Sequence, residues 1–223
     1  MAGLMVTTPT LAAFFQAYLA EIEASQAALD RLDAVAGDGD HGATMVMGMR
    51  EVVAAVPAGT KQRPKEALRV AAEAFGSVGG SIGPLWGTAL VRAARVVADD
   101  ESVDDDALLE MIRAAVAGLR ERGRSVVGDK TLLDVMQPAA DAFAESIDGE
   151  HSSRIALERA IEAAQAGLHA TASLPARRGR ARRFAERSVG AVDPGAASAC
   201  LAWETAGRLA GLSLATAVGA EDR

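Results

Sequence analysis

The strongest constraint on the fold is the spacing of apolar residues, which recur every three or four positions in nearly every long segment. The first such stripe follows Thr8-Pro9, an N-cap with proline at the first helical position. Its members are Leu11, Phe14, Phe15, Tyr18, Leu19, Ile22 and Leu29. No segment shows a convincing alternation typical of a strand, so the pattern predicts an all-α protein.

Helix start and stop signals divide the chain into eight predicted helices. They span about 9–33, 41–56, 64–78, 84–98, 105–122, 129–147, 152–171 and 194–218. Asp129 is the expected N-cap of the sixth helix, and Pro138 should kink it. Only the connection between the last two helices is long, at roughly twenty residues, and such a loop is more often a lid or binding loop than filler. With no repeat and no linker, we expect residues 1–223 to form one all-α domain.

Composition narrows the class of protein. Half of the residues are hydrophobic and only 4% are aromatic, which favours helices packed through small side chains. A net charge of −7 argues against non-specific nucleic-acid binding by the whole surface. Cys200 is the single cysteine, and the sequence shows neither a signal peptide nor a membrane-spanning apolar run. We therefore expect a cytoplasmic protein that binds neither nucleic acid nor membrane.

Positive charge is concentrated in PARRGRARRFAERS, residues 175–188, called the arginine loop below. Its six arginines are Arg177, Arg178, Arg180, Arg182, Arg183 and Arg187. Two interpretations fit this composition. The loop is a solvated connection, or its guanidinium groups grip phosphates.

The segment GDGDHG, residues 37–42, matches the glycine fingerprint of dinucleotide-binding turns, but a helix precedes it instead of a strand. A metal site fits better. In an extended loop the side chains of Asp38 and Asp40 point to the same side, and a bend at Gly37 can bring Asp33 back toward them. A hard divalent cation such as Mg²⁺, with phosphate oxygens completing its shell, removes the repulsion among three carboxylates. The alternative is a polar turn with Asp40 as the N-cap of the next helix, and spacing alone does not separate the two.

Two further segments carry weaker signals. GSVGGSIGPLWGT, residues 76–88, places five glycines at a helix junction, which suits either a close backbone approach to a ligand or a tight helix crossing. Residues 123–131 resemble a P-loop, but an aspartate before the lysine breaks the spacing and the preceding segment is helical. A P-loop ATPase is therefore not expected.

Four blocks of the sequence resemble, in this order, the nucleotide-binding (L-type) subunit of dihydroxyacetone kinases. They are LDAVAGDGDHG, SVGGSIGPLWGT, GDKTLLDVM and ARRGRARRFAERSVGAVDPGAAS. The resemblance extends over essentially the whole chain. It implies an antiparallel eight-helix barrel, with the nucleotide bound at one end, in agreement with the eight helices predicted from periodicity.

The resemblance also implies roles for individual residues. Asp33, Asp38 and Asp40 would hold two Mg²⁺ ions that bridge to the phosphates of ADP or ATP, and Arg180 would act with them in catalysis. The implied nucleotide contacts lie at three helix starts, on the arginine loop and in an adenine pocket. They are His41, Gly42, Thr44, Gly80, Ser81, Ile82, Gly123, Leu132, Arg180, Asp193, Pro194 and Gly195.

The implied activity is phosphorylation of dihydroxyacetone or a related short ketose, a step of glycerol metabolism. The acceptor would be held by a separate K-type subunit, because the chain has no matching substrate domain. In one subtype free ATP is the donor; in the other, bound ADP is recharged by a phosphocarrier of the sugar phosphotransferase system, and a separate 223-residue chain favours this second type. The alternatives are an ATP-using short-sugar kinase subunit and a regulatory nucleotide-binding module that contacts a transcription regulator. A homodimer is one option for the quaternary state.

Overall fold

The computed structural model describes residues 4–149, 152–214 and 216–218. Within them the chain forms eight long helices, which confirms the predicted helical class. In chain order the helices are α1 (Thr8–Ala34), α2 (His41–Ala55), α3 (Pro64–Gly76), α4 (Ile82–Val96), α5 (Asp105–Gly123), α6 (Leu133–Asp148), α7 (Ser153–Ala170), the single-turn α8 (Ala185–Ser188) and α9 (Pro194–Leu209). Two-residue strands β1 (Val6–Thr7) and β2 (Ser102–Val103) pair antiparallel, and no alternating pattern predicted them.

The long helices form a closed antiparallel barrel. Each of α1 to α6 packs against the next long helix in sequence, and α9 lies between α7 and α1, so the ring closes. One apolar cluster fills the interior, with Phe75 and Phe143 among its largest fully buried side chains. Small residues let the helices approach closely: a Cβ on Gly48 would lie 2.8 Å from the Phe75 ring, and one on Gly87 would lie 2.9 Å from the Gly76 Cα.

Several helix ends differ from the sequence-based prediction. The side chain that caps α1 belongs to Thr7, not Thr8. α4 begins at Ile82, before Pro84, and α9 ends at Leu209 because Gly211 adopts a φ of 77°. The predicted continuation to residue 218 is therefore wrong.

The start of α6 is a second correction, since the helix begins at Leu133 and Asp129 does not cap it. The Asp129 carboxylate instead accepts the N–H of Val126 at 3.1 Å within the preceding turn. Asp134 accepts the N–H groups of Gly128 at 2.6 Å and Thr131 at 2.7 Å. The predicted start fails because two carboxylates organise a turn at this position. Pro138 lies inside α6, as predicted.

The antiparallel order places the N-termini of α2, α4, α6 and α9 at the same end of the barrel, where all four line one cavity. Free N–H groups and the positive end of the helix dipole favour anions at such termini. The arginine loop crosses this end of the barrel. Across the described residues, no helix is both long enough and apolar enough to span a bilayer.

Candidate functional site

The cavity at this end of the barrel has a volume of about 500 Å³. Nearly all the residues to which the sequence analysis assigned a metal, nucleotide or catalytic role line it. They are Asp33, Asp40, His41, Thr44, Gly80, Ser81, Ile82, Gly123, Leu132, Arg180, Asp193, Pro194 and Gly195. The two exceptions are Asp38 and Gly42, which lie beside the cavity wall and are described below.

Asp33, Asp38 and Asp40 come together at one edge of the cavity, each offering an oxygen within 4.8 Å of the others. The turn is built around Asp33, whose Oδ2 accepts the N–H of Gly39 at 2.8 Å and of Asp40 at 3.1 Å. Gly39 adopts a φ of 77°, and a Cβ at Gly37 would lie 2.2 Å from Asp33 Oδ1. Both glycines are therefore needed for the carboxylates to converge.

The capping alternative does not account for Asp40. Asp40 occupies the N-cap position of α2, but its side chain makes no capping hydrogen bond. Asp30 of α1 serves the first turn instead, accepting the Ala43 N–H at 3.1 Å. Asp38 and Asp40 are exposed and Asp33 is half-buried, so their oxygens are accessible from solvent. This set of oxygen donors fits a hard cation such as Mg²⁺, which keeps several waters or phosphate oxygens in its shell.

Arg180 reaches the carboxylate cluster from the arginine loop. Its guanidinium pairs with Asp38, and its Nη2 lies 3.5 Å from Asp40 Oδ1. The same Nη2 would lie 3.5 Å from a Cβ built at Gly80, before α4. The arginine loop thus spans the cavity from the carboxylates to the α4 terminus.

His41 links the N-termini of α2 and α9. Its Nε2 lies 3.0 Å from Ser198 Oγ, and that hydroxyl donates to the Gly195 carbonyl. Because this hydroxyl donates its own hydrogen to Gly195, its oxygen is placed to accept a hydrogen bond from the Nε2–H of His41. Burial lowers the pKa of His41, although the nearby carboxylates of Asp33, Asp30 and Asp40 oppose the shift. The neutral imidazole acts as a hydrogen-bonding bridge between two walls of the cavity.

Gly42 does not line the cavity; it packs against α1. A Cβ there would lie 2.4 Å from the Gln26 carbonyl oxygen of α1 and 2.9 Å from Asp30 Oδ1. Backbone cannot move aside as a flexible side chain can, so this position brings α2 against α1. The contact supports the carboxylate turn between the two helices.

On the opposite wall, Asp193 caps α9, accepting the Ala196 N–H at 2.7 Å. Its own N–H donates to Thr171 Oγ1 at 3.0 Å. Burial raises the pKa of Asp193 to about 7, against the opposing effects of the Ala196 bond and of Lys130. Apolar residues also line the cavity, among them Leu85, Leu132 and Val192. The cavity lining is therefore partly charged and partly apolar.

Sequence reasoning assigned no role to two charged cavity residues, Lys130 and Arg122, and named Arg178 only as one of the loop arginines. Lys130 belongs to the segment dismissed as a broken P-loop, yet it is 4% exposed. The flanking residues Asp129 and Thr131 are polar, so nothing in the sequence marked this lysine as buried.

A family model described as the DAK2 domain matches residues 35–207. Two curated relatives are each 37% identical. One is the PEP-dependent dihydroxyacetone kinase, ADP-binding subunit DhaL, of Escherichia coli, aligned over 76% of this chain and 81% of its own length. The other is the L-erythrulose 1-kinase of Mycolicibacterium smegmatis, aligned over 78% of this chain and 31% of its own length. The chain thus spans most of the first relative but about a third of the second.

A solved structure shares the architecture. The dihydroxyacetone kinase from C. freundii, in complex with AMP-PNP and Mg²⁺, aligns with 93% of this chain and 35% of its own, with a TM-score of 0.69 and 21% identity. At this identity the likeness concerns the fold alone.

Proposed function

Because the chain belongs to the DAK2 domain family, we propose that it is the nucleotide-binding subunit of a kinase that phosphorylates dihydroxyacetone or a related short ketose. The observation that carries the proposal is the position of the carboxylate cluster. Asp33, Asp38 and Asp40 converge at the edge of a cavity ringed by four helix N-termini, with Arg180 reaching in from the arginine loop. Cation ligands, N–H donors and a guanidinium around one cavity are the groups that phosphoryl transfer requires.

In the proposed site each group has a distinct role. Asp33, Asp38 and Asp40 would hold Mg²⁺, in two ions, which neutralises phosphate charge. The N-termini of α2, α4 and α9, at His41, Ser81, Ile82 and Gly195, would offer N–H groups to phosphate oxygens. Thr44 and Pro194 line the cavity beside these termini, and Pro194 has no N–H of its own. Arg180 stabilises negative charge on the transferred phosphoryl group. Gly123, where a Cβ would lie 3.4 Å from Leu85, and the cavity residue Leu132 are assigned to adenine.

We assign the acceptor to a second polypeptide, a separate K-type subunit that would hold the ketose. The Escherichia coli relative is named as an ADP-binding subunit of a PEP-dependent kinase, which supports a separate substrate-binding subunit. It also supports recharging of bound ADP by a phosphocarrier. The L-erythrulose 1-kinase relative supports a short sugar as the acceptor, as in the second candidate, a short-sugar kinase subunit for which ATP would be the donor.

The metal assignment is tested by titrating Mg²⁺ and ADP into the Asp38→Asn and Asp40→Asn variants in a calorimeter. We expect ADP affinity to fall by at least about tenfold, because each variant removes a charged ligand of the cation that bridges to phosphate. Asp100→Asn, at an exposed aspartate between α4 and β2, is the matched control and should bind as wild type. Normal ADP binding by both cluster variants, with their helical circular dichroism intact, would contradict the proposal.

The phosphate donor is tested on the purified wild-type chain, first alone for nucleotide retention and then reconstituted with its substrate-binding subunit for turnover. Retention of ADP through purification, with phosphorylation of dihydroxyacetone only when a phosphocarrier is added, supports recharging in place. Rapid exchange with ATP, and turnover with ATP alone, supports the short-sugar kinase. Nucleotide-dependent capture of a transcription regulator would support the regulatory alternative.

A further inference from the structure

Asp129 and Lys130 are consecutive residues of the α5–α6 connection. Asp129 bonds to the start of the arginine loop, and Lys130 bonds to the chain on both sides of it. Both are buried, at 5% and 4% exposed. Neither was assigned a role in binding the cation or the nucleotide. Buried charged groups are retained where partners satisfy them, so the partners of these two residues indicate what they do.

Asp129 holds the start of the loop. Its carboxylate accepts Nε of Arg178 at 2.9 Å, and its carbonyl accepts the N–H of Arg177 at 3.0 Å. Burial alone would raise the pKa of Asp129, but the bonds from Arg178 and Val126 hold it below its ordinary value. The carboxylate is therefore ionised and paired.

Lys130 joins the chain before the loop to the chain after it. Its Nζ donates to the carbonyl oxygens of Thr171 and Ala191, both at 2.6 Å. Thr171 follows α7, and Ala191 precedes α9, so one ammonium group joins the two ends of the long connection. The backbone of Lys130 adopts a φ of 58°, a conformation uncommon for residues other than glycine and maintained where the surrounding structure determines it.

Between these two attachments the chain has points at which it can bend. Gly179 and Gly190 adopt φ values of 64° and 100°, and a Cβ at either would meet nothing within 4 Å. A bond from the Ala176 N–H to Ser188 Oγ, at 2.9 Å, closes the base of the loop. Arg180 directly follows the first glycine. Its position over the carboxylates therefore depends on where the base of the loop is held.

We propose that Asp129 and Lys130 are positioning residues for phosphoryl transfer: they fix both ends of the arginine loop and so hold Arg180 over the carboxylate cluster. This inference rests on the proposed function for its catalytic part. Lys130 itself is not assigned to a phosphate, because two backbone carbonyls already take two of its three donors. Burial lowers the pKa of Lys130, opposed by Asp193 and Asp134, which agrees with a structural donor held away from solvent.

The first test is limited proteolysis of the arginine loop by trypsin, which cleaves after the loop arginines when the loop detaches. In Lys130→Met we expect cleavage there to be about tenfold faster than in wild type, because two bonds to a charged donor are lost. Lys130→Arg keeps a cation with several donors and should restore slow cleavage. Lys65→Met, at an exposed lysine of α3, is the matched control. Wild-type cleavage rates in Lys130→Met would overturn the proposal.

The second test measures the link to Arg180 by a double-mutant cycle on kcat, with the chain reconstituted with its substrate-binding subunit and dihydroxyacetone. We expect Lys130→Met to lower kcat at least about tenfold while the KM for nucleotide changes less than about threefold. Adding Lys130→Met to Arg180→Gln should lower kcat no further. Additive losses would overturn the proposal, since Lys130 would then act independently of Arg180.

The two tests distinguish failure of the proposed function from failure of the proposal about the arginine loop. If wild type neither binds Mg²⁺ and ADP nor turns over, the proposed function fails, and the trypsin comparison still decides whether Asp129 and Lys130 hold the loop. If Lys130→Met lacks native helical circular dichroism, Asp129→Asn replaces it in both tests. This variant weakens the bond from Arg178 at the other end of the loop, and the same outcomes support or overturn the proposal.

Discussion

At the start of α2 there is no room for a side chain on Gly42, since its Cβ would lie 2.4 Å from the Gln26 carbonyl oxygen. Gly42→Ala should therefore lower the free energy of unfolding by about 1–3 kcal/mol, because α2 must move away from α1. Urea unfolding followed by circular dichroism measures the change. Gly79→Ala is the control at the same end of the barrel, where a Cβ meets nothing within 4 Å. Equal stability of the two variants would show that α1 and α2 separate without strain.

Asp193 gives the stability of the protein a pH dependence of defined sign. Its pKa is about 7 in the folded protein and near 4 in an unfolded chain, so the folded state binds the proton more tightly. The stability contributed by this group is complete below pH 4 and is lost as pH rises through about 7. In Asp193→Asn, which keeps a capping oxygen but does not titrate, this loss should be absent.

Thermal unfolding of both proteins between pH 5 and pH 8 tests this prediction. As pH rises across that range, the free energy of unfolding of wild type should fall by about 2 kcal/mol relative to that of Asp193→Asn. Asp104→Asn, the same replacement at the exposed N-cap of α5, controls for exchanging a capping residue. Parallel pH profiles for wild type and Asp193→Asn would contradict the assignment.

At the scale of elements, the arginine loop and the carboxylate turn are joined by Arg180. In the structure this guanidinium pairs with Asp38 and Asp40, two of the proposed cation ligands. Arg180 and a divalent cation therefore compete for the same oxygens when no nucleotide is bound. Arg180→Gln should raise the affinity of the nucleotide-free chain for Mn²⁺ by about two- to tenfold, since exposed ion pairs contribute about 0.2–1 kcal/mol each.

Electron paramagnetic resonance of free Mn²⁺ during a titration measures that affinity directly. Arg182→Gln, at an exposed arginine of the same loop, controls for the change in net charge. An equal effect of both variants would mean that general charge, and not the pairing of Arg180, controls access to the cluster. Unchanged affinity in Arg180→Gln would mean that the pairing does not oppose the cation.

Element boundaries show which parts of the structure were predictable from sequence. Periodicity located all eight long helices, because their apolar stripes face a common core. The start of α6 was misplaced because Asp129 and Asp134 accept backbone N–H groups of a turn, and sequence does not show which N–H an aspartate serves. The carboxylate cluster was predictable because its members lie within eight residues of one another, from Asp33 to Asp40. The bonds of Lys130 to Thr171 and Ala191 were not, since they join residues far apart in the chain.

At the scale of the whole molecule, the site depends on closure of the barrel. α9 brings Asp193 and Gly195 to the cavity, and it holds its place by packing between α7 and α1. Glu204 of α9 is fully buried, and its Oε1 accepts Gln165 Nε2 of α7 at 2.8 Å and the Ala217 N–H at 2.9 Å. One carboxylate thus joins the last helix to its neighbour and to the segment that follows it.

Glu204→Ala should consequently destabilise the whole barrel, by about 2–4 kcal/mol, because it leaves buried donors without an acceptor and opens a cavity. Chemical unfolding monitored by circular dichroism measures the loss, with Glu162→Ala at an exposed position of α7 as the control. Glu204→Gln keeps an acceptor oxygen, so its free energy of unfolding should fall less than that of Glu204→Ala. Because closure of the ring places the start of α9 at the cavity, ADP affinity should fall in Glu204→Ala at temperatures where the helices of the control remain folded. Wild-type stability in Glu204→Ala would show that apolar packing alone closes the barrel.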